Sequence, residues 1–105
     1  MSEATKLSVR IREGVPEVRM RVFHEMESGQ RKDAAGKLVP AWHITEISAT
    51  LNGRPVIRSQ WGPGVSKNPI FAFRVRTAKT GDKIVVTWVD NRGERRSDEF
   101  TVGTL

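Results

Sequence analysis

Along most of this chain the apolar residues fall on every second position, a spacing that suits extended strands and leaves no helix a continuous apolar stripe. Leu7, Val9 and Ile11 alternate with Ser8, Arg10 and Arg12. Gly14-Val15-Pro16 reads as a turn. Val18, Met20 and Val22 then alternate with Arg19, Arg21 and Phe23. A third strand runs over residues 41–51, and its apolar parity changes between Ile44 and Ile47, which predicts a bulge or a strand covered on both sides. Asn52-Gly53 is a hairpin signal, with residues 56–61 as the return strand and Pro55 at its start. Phe71, Phe73 and Val75 alternate with Ala72, Arg74 and Arg76. Thr80-Gly81-Asp82 and the run from Asp90 to Gly93 read as turns around a β-branched central strand, residues 84–89, that holds Trp88. Residues 96–102 close the series. About seven antiparallel strands at this spacing predict an all-β, immunoglobulin-like β-sandwich, with a small closed barrel as the rival.

The 105 residues fit one domain, residues 1–105, long enough to bury one core without staples. With 37% hydrophobic and 29% charged residues, neither a membrane-spanning nor a disordered chain is expected. There is no cysteine, which excludes disulfides, thiolate metal ligands and thiol chemistry within this chain. The stretch Met1-Ser2-Glu3-Ala4-Thr5-Lys6 has no apolar segment ahead of a cleavage site, so no signal peptide is expected. Met1 to Thr5 and Gly103 to Leu105 are expected to fray. The net charge of +6 favours an acidic partner, nucleic acid among the candidates, or simply a well-solvated basic surface.

Two connections stand out. Residues 24–40 form a long segment with no pattern of their own, a length that in compact domains marks function or disorder. Residues 62–69, Gly-Pro-Gly-Val-Ser-Lys-Asn-Pro, read as a shaped loop. Catalytic chemistry finds no purchase in either. No nucleophile elbow or Gly-rich phosphate cradle is present, and Glu25 and Glu27 read as solvated loop acids. His24 and His43 are the only imidazoles, without zinc spacing, so no metal and no cofactor is expected. His43 reads as a structural or surface residue within a strand, and His24 as a strand end with a binding role open to it. Arg10, Arg12, Arg19, Arg21, Arg74 and Arg76 fall on outward strand faces, with Phe23 beside two of them. That pattern keeps open a basic interaction module that binds nucleic acid or another acidic partner. Trp42, Trp61 and Trp88 read as core, Trp42 and Trp61 at the bases of the two loops.

The segment His24-Glu25-Met26-Glu27-Ser28-Gly29-Gln30-Arg31-Lys32-Asp33 resembles a stretch of the SoxZ family. The likeness continues through Gly36-Lys37-Leu38-Val39-Pro40-Ala41-Trp42, Ala49-Thr50-Leu51-Asn52-Gly53 and Gln60-Trp61-Gly62-Pro63. Val65-Ser66-Lys67-Asn68-Pro69 and Val86-Thr87-Trp88-Val89-Asp90-Asn91 fit as well.

The resemblance implies an immunoglobulin-like subunit of the SoxYZ sulfur carrier of thiosulfate oxidation. It implies a tight complex with SoxY, whose cysteine on a C-terminal arm carries the sulfur intermediates, and transient contact with the other Sox enzymes. The expected site is a partner-binding one: His24, Met26, Glu27, Arg31, Lys32, Trp42, Trp61, Pro63, Asn68 and Phe71. The expected role is non-catalytic and the expected place is the periplasm, reached by export alongside SoxY. Self-association of the isolated chain is expected where an unpartnered face seeks cover.

Overall fold

A computed structural model describes residues 3–105. Seven strands follow one another: β1 (Lys6–Arg12), β2 (Val15–Arg21), β3 (Ile44–Leu51), β4 (Arg54–Gln60), β5 (Ile70–Arg74), β6 (Lys83–Asp90) and β7 (Arg95–Thr101). They form a three-stranded sheet in the order β1-β2-β5 and a four-stranded sheet in the order β4-β3-β6-β7, with every pairing antiparallel. This is the two-sheet immunoglobulin-like arrangement, in which β5 returns to β2 and β6 returns to β3. The rival closed barrel is not formed, because β4 and β5 are consecutive but belong to different sheets.

The alternation of the sequence becomes the inner faces of the sheets. From β2 come Val18 and Met20, with Val22 just past its end, from β3 Ile44, Ile47, Ala49 and Leu51, and from β6 Ile84, Val86 and Trp88, all buried. The parity change falls where it was expected, as a register shift between Ile44 and Glu46 against β6. On the flank, Trp61 meets Phe71 edge-on at 5.5 Å, and Phe71 lies 5.7 Å from Phe73. These rings close the side where β4 of one sheet faces β5 of the other.

Four expectations need correction. The first turn is Glu13-Gly14, both at positive φ (52° and 78°), and Pro16 belongs to β2. Pro16 lies beyond the last β2–β5 pair, Glu17 with Arg74, and accepts from the Val75 N–H at 2.9 Å, so its missing N–H interrupts no pair there. The third strand starts at Ile44 rather than residue 41. Residues 41–43 are instead held by Glu27 and Asn91, which takes His43 out of the strand. Pro55 sits inside β4, tolerated because β4 is an edge strand whose register shifts beside it. Of the expected frayed ends, Met1 and Ser2 lie outside the described residues. Thr5 does not fray: it is buried, and its N–H donates to Asp98 Oδ2 at 3.1 Å.

Candidate functional site

The inner rows of β2 and β6 each run on by one polar residue. After Val18, Met20 and Val22 the next inward position is His24, and after Ile84, Val86 and Trp88 it is Asp90. Both are buried, and they face each other across the same end of the sandwich. His24 Nε2 lies 3.0 Å from Asp90 Oδ2, and the Met26 N–H donates to His24 Nδ1 at 3.0 Å. A backbone N–H only donates, so Nδ1 carries no proton, and the ring is the neutral tautomer that donates from Nε2 to the carboxylate. Both nitrogens are therefore engaged, and neither is left to take a proton from a substrate.

Asp90 is saturated. Oδ2 also accepts from Trp42 Nε1 at 2.8 Å, and Oδ1 accepts from the backbone N–H of Arg92 and of Glu94 at 2.9 Å each. Burial pushes the Asp90 carboxyl up, but the bonds from His24, Trp42, Glu94 and Arg92 outweigh it and hold the group below the usual carboxylate range. Rings surround the pair: His24 meets Trp42 edge-on at 5.1 Å and Trp88 at 5.2 Å, while the Arg92 guanidinium lies 4.2 Å over Trp42.

This junction ties three connections together. Residues 24–43 leave from His24, and Glu27 and Trp42 exchange backbone hydrogen bonds of 2.6 and 2.9 Å that pin the base of that segment. Farther out, Asp33 organises a small hairpin: its carboxylate accepts from the N–H groups of Ala35 and Lys37, and its own N–H donates to Lys37 O. The segment expected to be functional or disordered is thus ordered by its own backbone bonds. The loop of residues 61–69 docks through Asn68, whose Oδ1 accepts from the His24 N–H while its N–H donates to His24 O, each at 3.0 Å. The turn after β6 adds Asn91, which accepts from the His43 N–H and donates to Ala41 O.

The ten candidate residues separate into supports and surface. The His24 side chain is 2% exposed, Met26 is buried with its sulfur accepting from the Ile44 N–H, and Asn68 is a clamp. These three position the loops, and of them only Asn68 is partly exposed. Trp42, Trp61 and Phe71 are partly exposed, and Pro63, Arg31 and Lys32 are exposed. Arg31 is held by Glu27 at 2.9 Å, and that guanidinium keeps the Glu27 carboxyl below its usual range. Trp61 and Phe71 pack against each other on the flank, and neither lines the cleft beside His24. Sequence reasoning treated Asp90 and Asn91 as turn residues only, although Asp90 continues the inward parity of residues 84–88.

A cleft of about 310 Å³ opens beside the junction, lined by Phe23, His24, Trp42, Lys67, Trp88 and Glu94 among others. Trp88 Nε1 is buried without a hydrogen-bond partner among the described residues. Lys67 at the mouth pairs with Glu25 at 3.2 Å. No group of three or more potential metal-ligating side chains occurs among the described residues. The arrangement can hold and orient loops, and its one buried acid and imidazole are consumed in doing so.

A search of curated proteins finds no match. A family model described as sulphur oxidation protein SoxZ matches residues 6–101, from the first residue of β1 to the last of β7 and across all three connections at the His24 junction. The chain belongs to the SoxZ family of sulphur oxidation proteins.

Proposed function

We propose that this chain is the non-catalytic subunit of a SoxYZ-type sulfur carrier, and that it holds SoxY while the SoxY cysteine bears the sulfur. The observation that carries the reading is the lack of any cysteine in the 105 residues of a sulfur-oxidation family member. Covalent sulfur carriage needs a thiolate, so the bond forms on another chain. The engaged ring nitrogens of His24 agree with a subunit that positions rather than reacts. The partly exposed Trp42, with the Glu27–Arg31 pair and Pro63 on neighbouring loops, supplies aromatic, charged and rigid contact groups on ordered backbone. The proposed place is the periplasm, with export alongside SoxY.

The test is co-expression of tagged chain with SoxY, followed by intact mass of both subunits after incubation with thiosulfate and the Sox enzymes. A stable complex with the added mass on SoxY alone is the expected result. A sulfur adduct on this chain, or failure of the two chains to co-purify, overturns the reading.

A further inference from the structure

The outward face of the three-stranded sheet concentrates the positive charge of the molecule. Register places its side chains in cross-strand rows: Lys6, Arg21 and Ile70; then Ser8, Arg19 and Ala72; then Arg10, Glu17 and Arg74; with Arg12 at the end. Six cations, Lys6, Arg10, Arg12, Arg19, Arg21 and Arg74, thus share this face with the single strand acid Glu17, in a chain whose whole net charge is +6.

Most of these cations are unspent. Arg10, Arg12, Arg19 and Arg21 are exposed and enter no ion pair among the described residues, whereas Arg74 reaches Glu13 at 3.3 Å. Ordinary solvated faces interleave the two signs. Here Lys6 stands directly opposite Arg21, an arrangement of like charges that opposes folding slightly and that an incoming anion relieves. Ser8 and Ala72 flank Arg19 with short side chains, so its guanidinium stands clear of its row. A shallow trough of about 490 Å³ lies among Lys6, Ser8, Arg19, Arg21 and Ile70.

The choice of anion follows from what else the face carries. Binding of single-stranded nucleic acid draws on rings that stack the bases. The ring on this side is Phe23, partly buried and already facing the Lys6 ammonium at 5.7 Å. The apolar contribution is aliphatic: Ile70 is 53% exposed. Guanidinium groups with one exposed aliphatic side chain suit carboxylates on a protein surface. One such apolar group is far less than an obligate interface buries, so the contact is electrostatic and short-lived.

We infer that the outward face of the β1-β2-β5 sheet is a transient docking surface for an acidic segment of another protein, engaged through Lys6, Arg19 and Arg21. It is a different surface from the loop end used in the carrier reading, and its argument stands without that reading.

The test uses the purified chain, ¹⁵N-labelled, titrated with poly-L-glutamate of about 20 residues and, separately, with oligo-dT of matched charge. The amides of residues 6–12, 17–21 and 70–74 are expected to shift with polyglutamate, and the affinity to fall about tenfold on raising NaCl from about 20 to 300 mM. Arg19→Glu/Arg21→Glu should weaken binding about tenfold more than Lys37→Glu/Lys79→Glu, which removes the same charge elsewhere. The reversal puts a carboxylate opposite Lys6, which favours folding, and Arg19→Gln/Arg21→Gln serves as the neutral check. Shifts spread over the whole surface, equal loss in both charge variants, or tighter binding of oligo-dT to this face overturn the inference. So does loss of SoxY co-purification in Arg19→Glu/Arg21→Glu, which would make the face a stable interface. Failure of the unmodified chain to co-purify with SoxY counts against the carrier reading alone, and the polyglutamate result still decides this one.

Discussion

His24 Nε2 and Asp90 Oδ2 stand 3.0 Å apart where the inward row that continues past β2 meets the last inward position of β6. The bond joins residues 66 apart in sequence, and the opposite nitrogen of the same ring receives the Met26 N–H. One imidazole therefore fixes both the sandwich end and the first turn of the 24–43 segment.

The two jobs of that ring are separable. In His24→Gln the amide nitrogen reaches toward Asp90 as Nε2 does, but nothing accepts the Met26 N–H. In His24→Asn the amide oxygen takes the place of Nδ1, and the Asp90 contact is lost instead. Each variant should lose about 1–3 kcal/mol in urea unfolding, and His24→Ala the sum of the two. Hydrogen exchange separates them: the Met26 amide should exchange faster in the Gln and Ala variants and stay protected in the Asn variant. Equal exchange in all three would contradict the proton assignment.

Acid sensitivity should follow the buried Asp90 and the partly buried Asp98. Burial raises the Asp98 carboxyl as it does that of Asp90, but Arg96 and the Thr5 N–H more than offset it, so both acids sit below their usual range in the fold. The unfolded chain then binds protons first as pH falls, and stability rises with pH wherever it does so. Their contribution is complete above the ordinary aspartate value of about 3.9 and is lost as pH drops through the lowered folded values. The loss that these two acids cause in the urea midpoint should set in below about pH 4. Asp90→Asn, whose amide turns a donor toward donors, should be destabilised by about 2–4 kcal/mol at pH 7. Its deficit should shrink at pH 3, and a deficit that stays constant with pH would refute the linkage.

The first hairpin shows how much of the fold was legible and where reading failed. Leu7 to Ile11 and Val18 to Val22 announce their strands because each apolar residue lands on one face. Pro16 misled the turn assignment, since proline marks turns more often than strands, yet its strand position is harmless where β5 has already ended. The Asn52-Gly53 hairpin, φ 51° and 83°, was plain from residue chemistry. The His24–Asp90 junction was not legible, because parity shows which way a side chain points but not which inward row lies across the core. The basic face was half visible: sequence alternation puts the arginines outward, and only register sets Lys6 beside Arg21.

That same hairpin offers a gain of stability. Glu13 occupies a left-handed conformation, φ 52°, that asparagine and glycine adopt more readily. Its ion pair with Arg74 is exposed, and such pairs contribute little. Glu13→Asn, which creates an Asn-Gly type I′ signal, should raise stability by about 0.5–1 kcal/mol in urea unfolding. A loss of stability would show that the Arg74 contact outweighs the backbone preference.

The two tryptophans packed against His24 should respond in opposite ways to loss of the indole nitrogen. Trp42 Nε1 donates to Asp90 Oδ2, whereas Trp88 Nε1 has no partner among the described residues. Trp42→Phe therefore removes a charge-assisted bond to a buried carboxylate, about 1.5–3 kcal/mol, and weakens the seat of Arg92. Trp88→Phe removes a larger buried volume yet relieves an unsatisfied donor, so its cavity loss is partly offset. Urea unfolding should find Trp42→Phe at least as damaging as Trp88→Phe, although Trp88 is 1% exposed and Trp42 is only partly buried. Burial alone predicts the reverse order. A clearly larger cost for Trp88→Phe would show that the lost buried volume outweighs relief of the unpartnered donor.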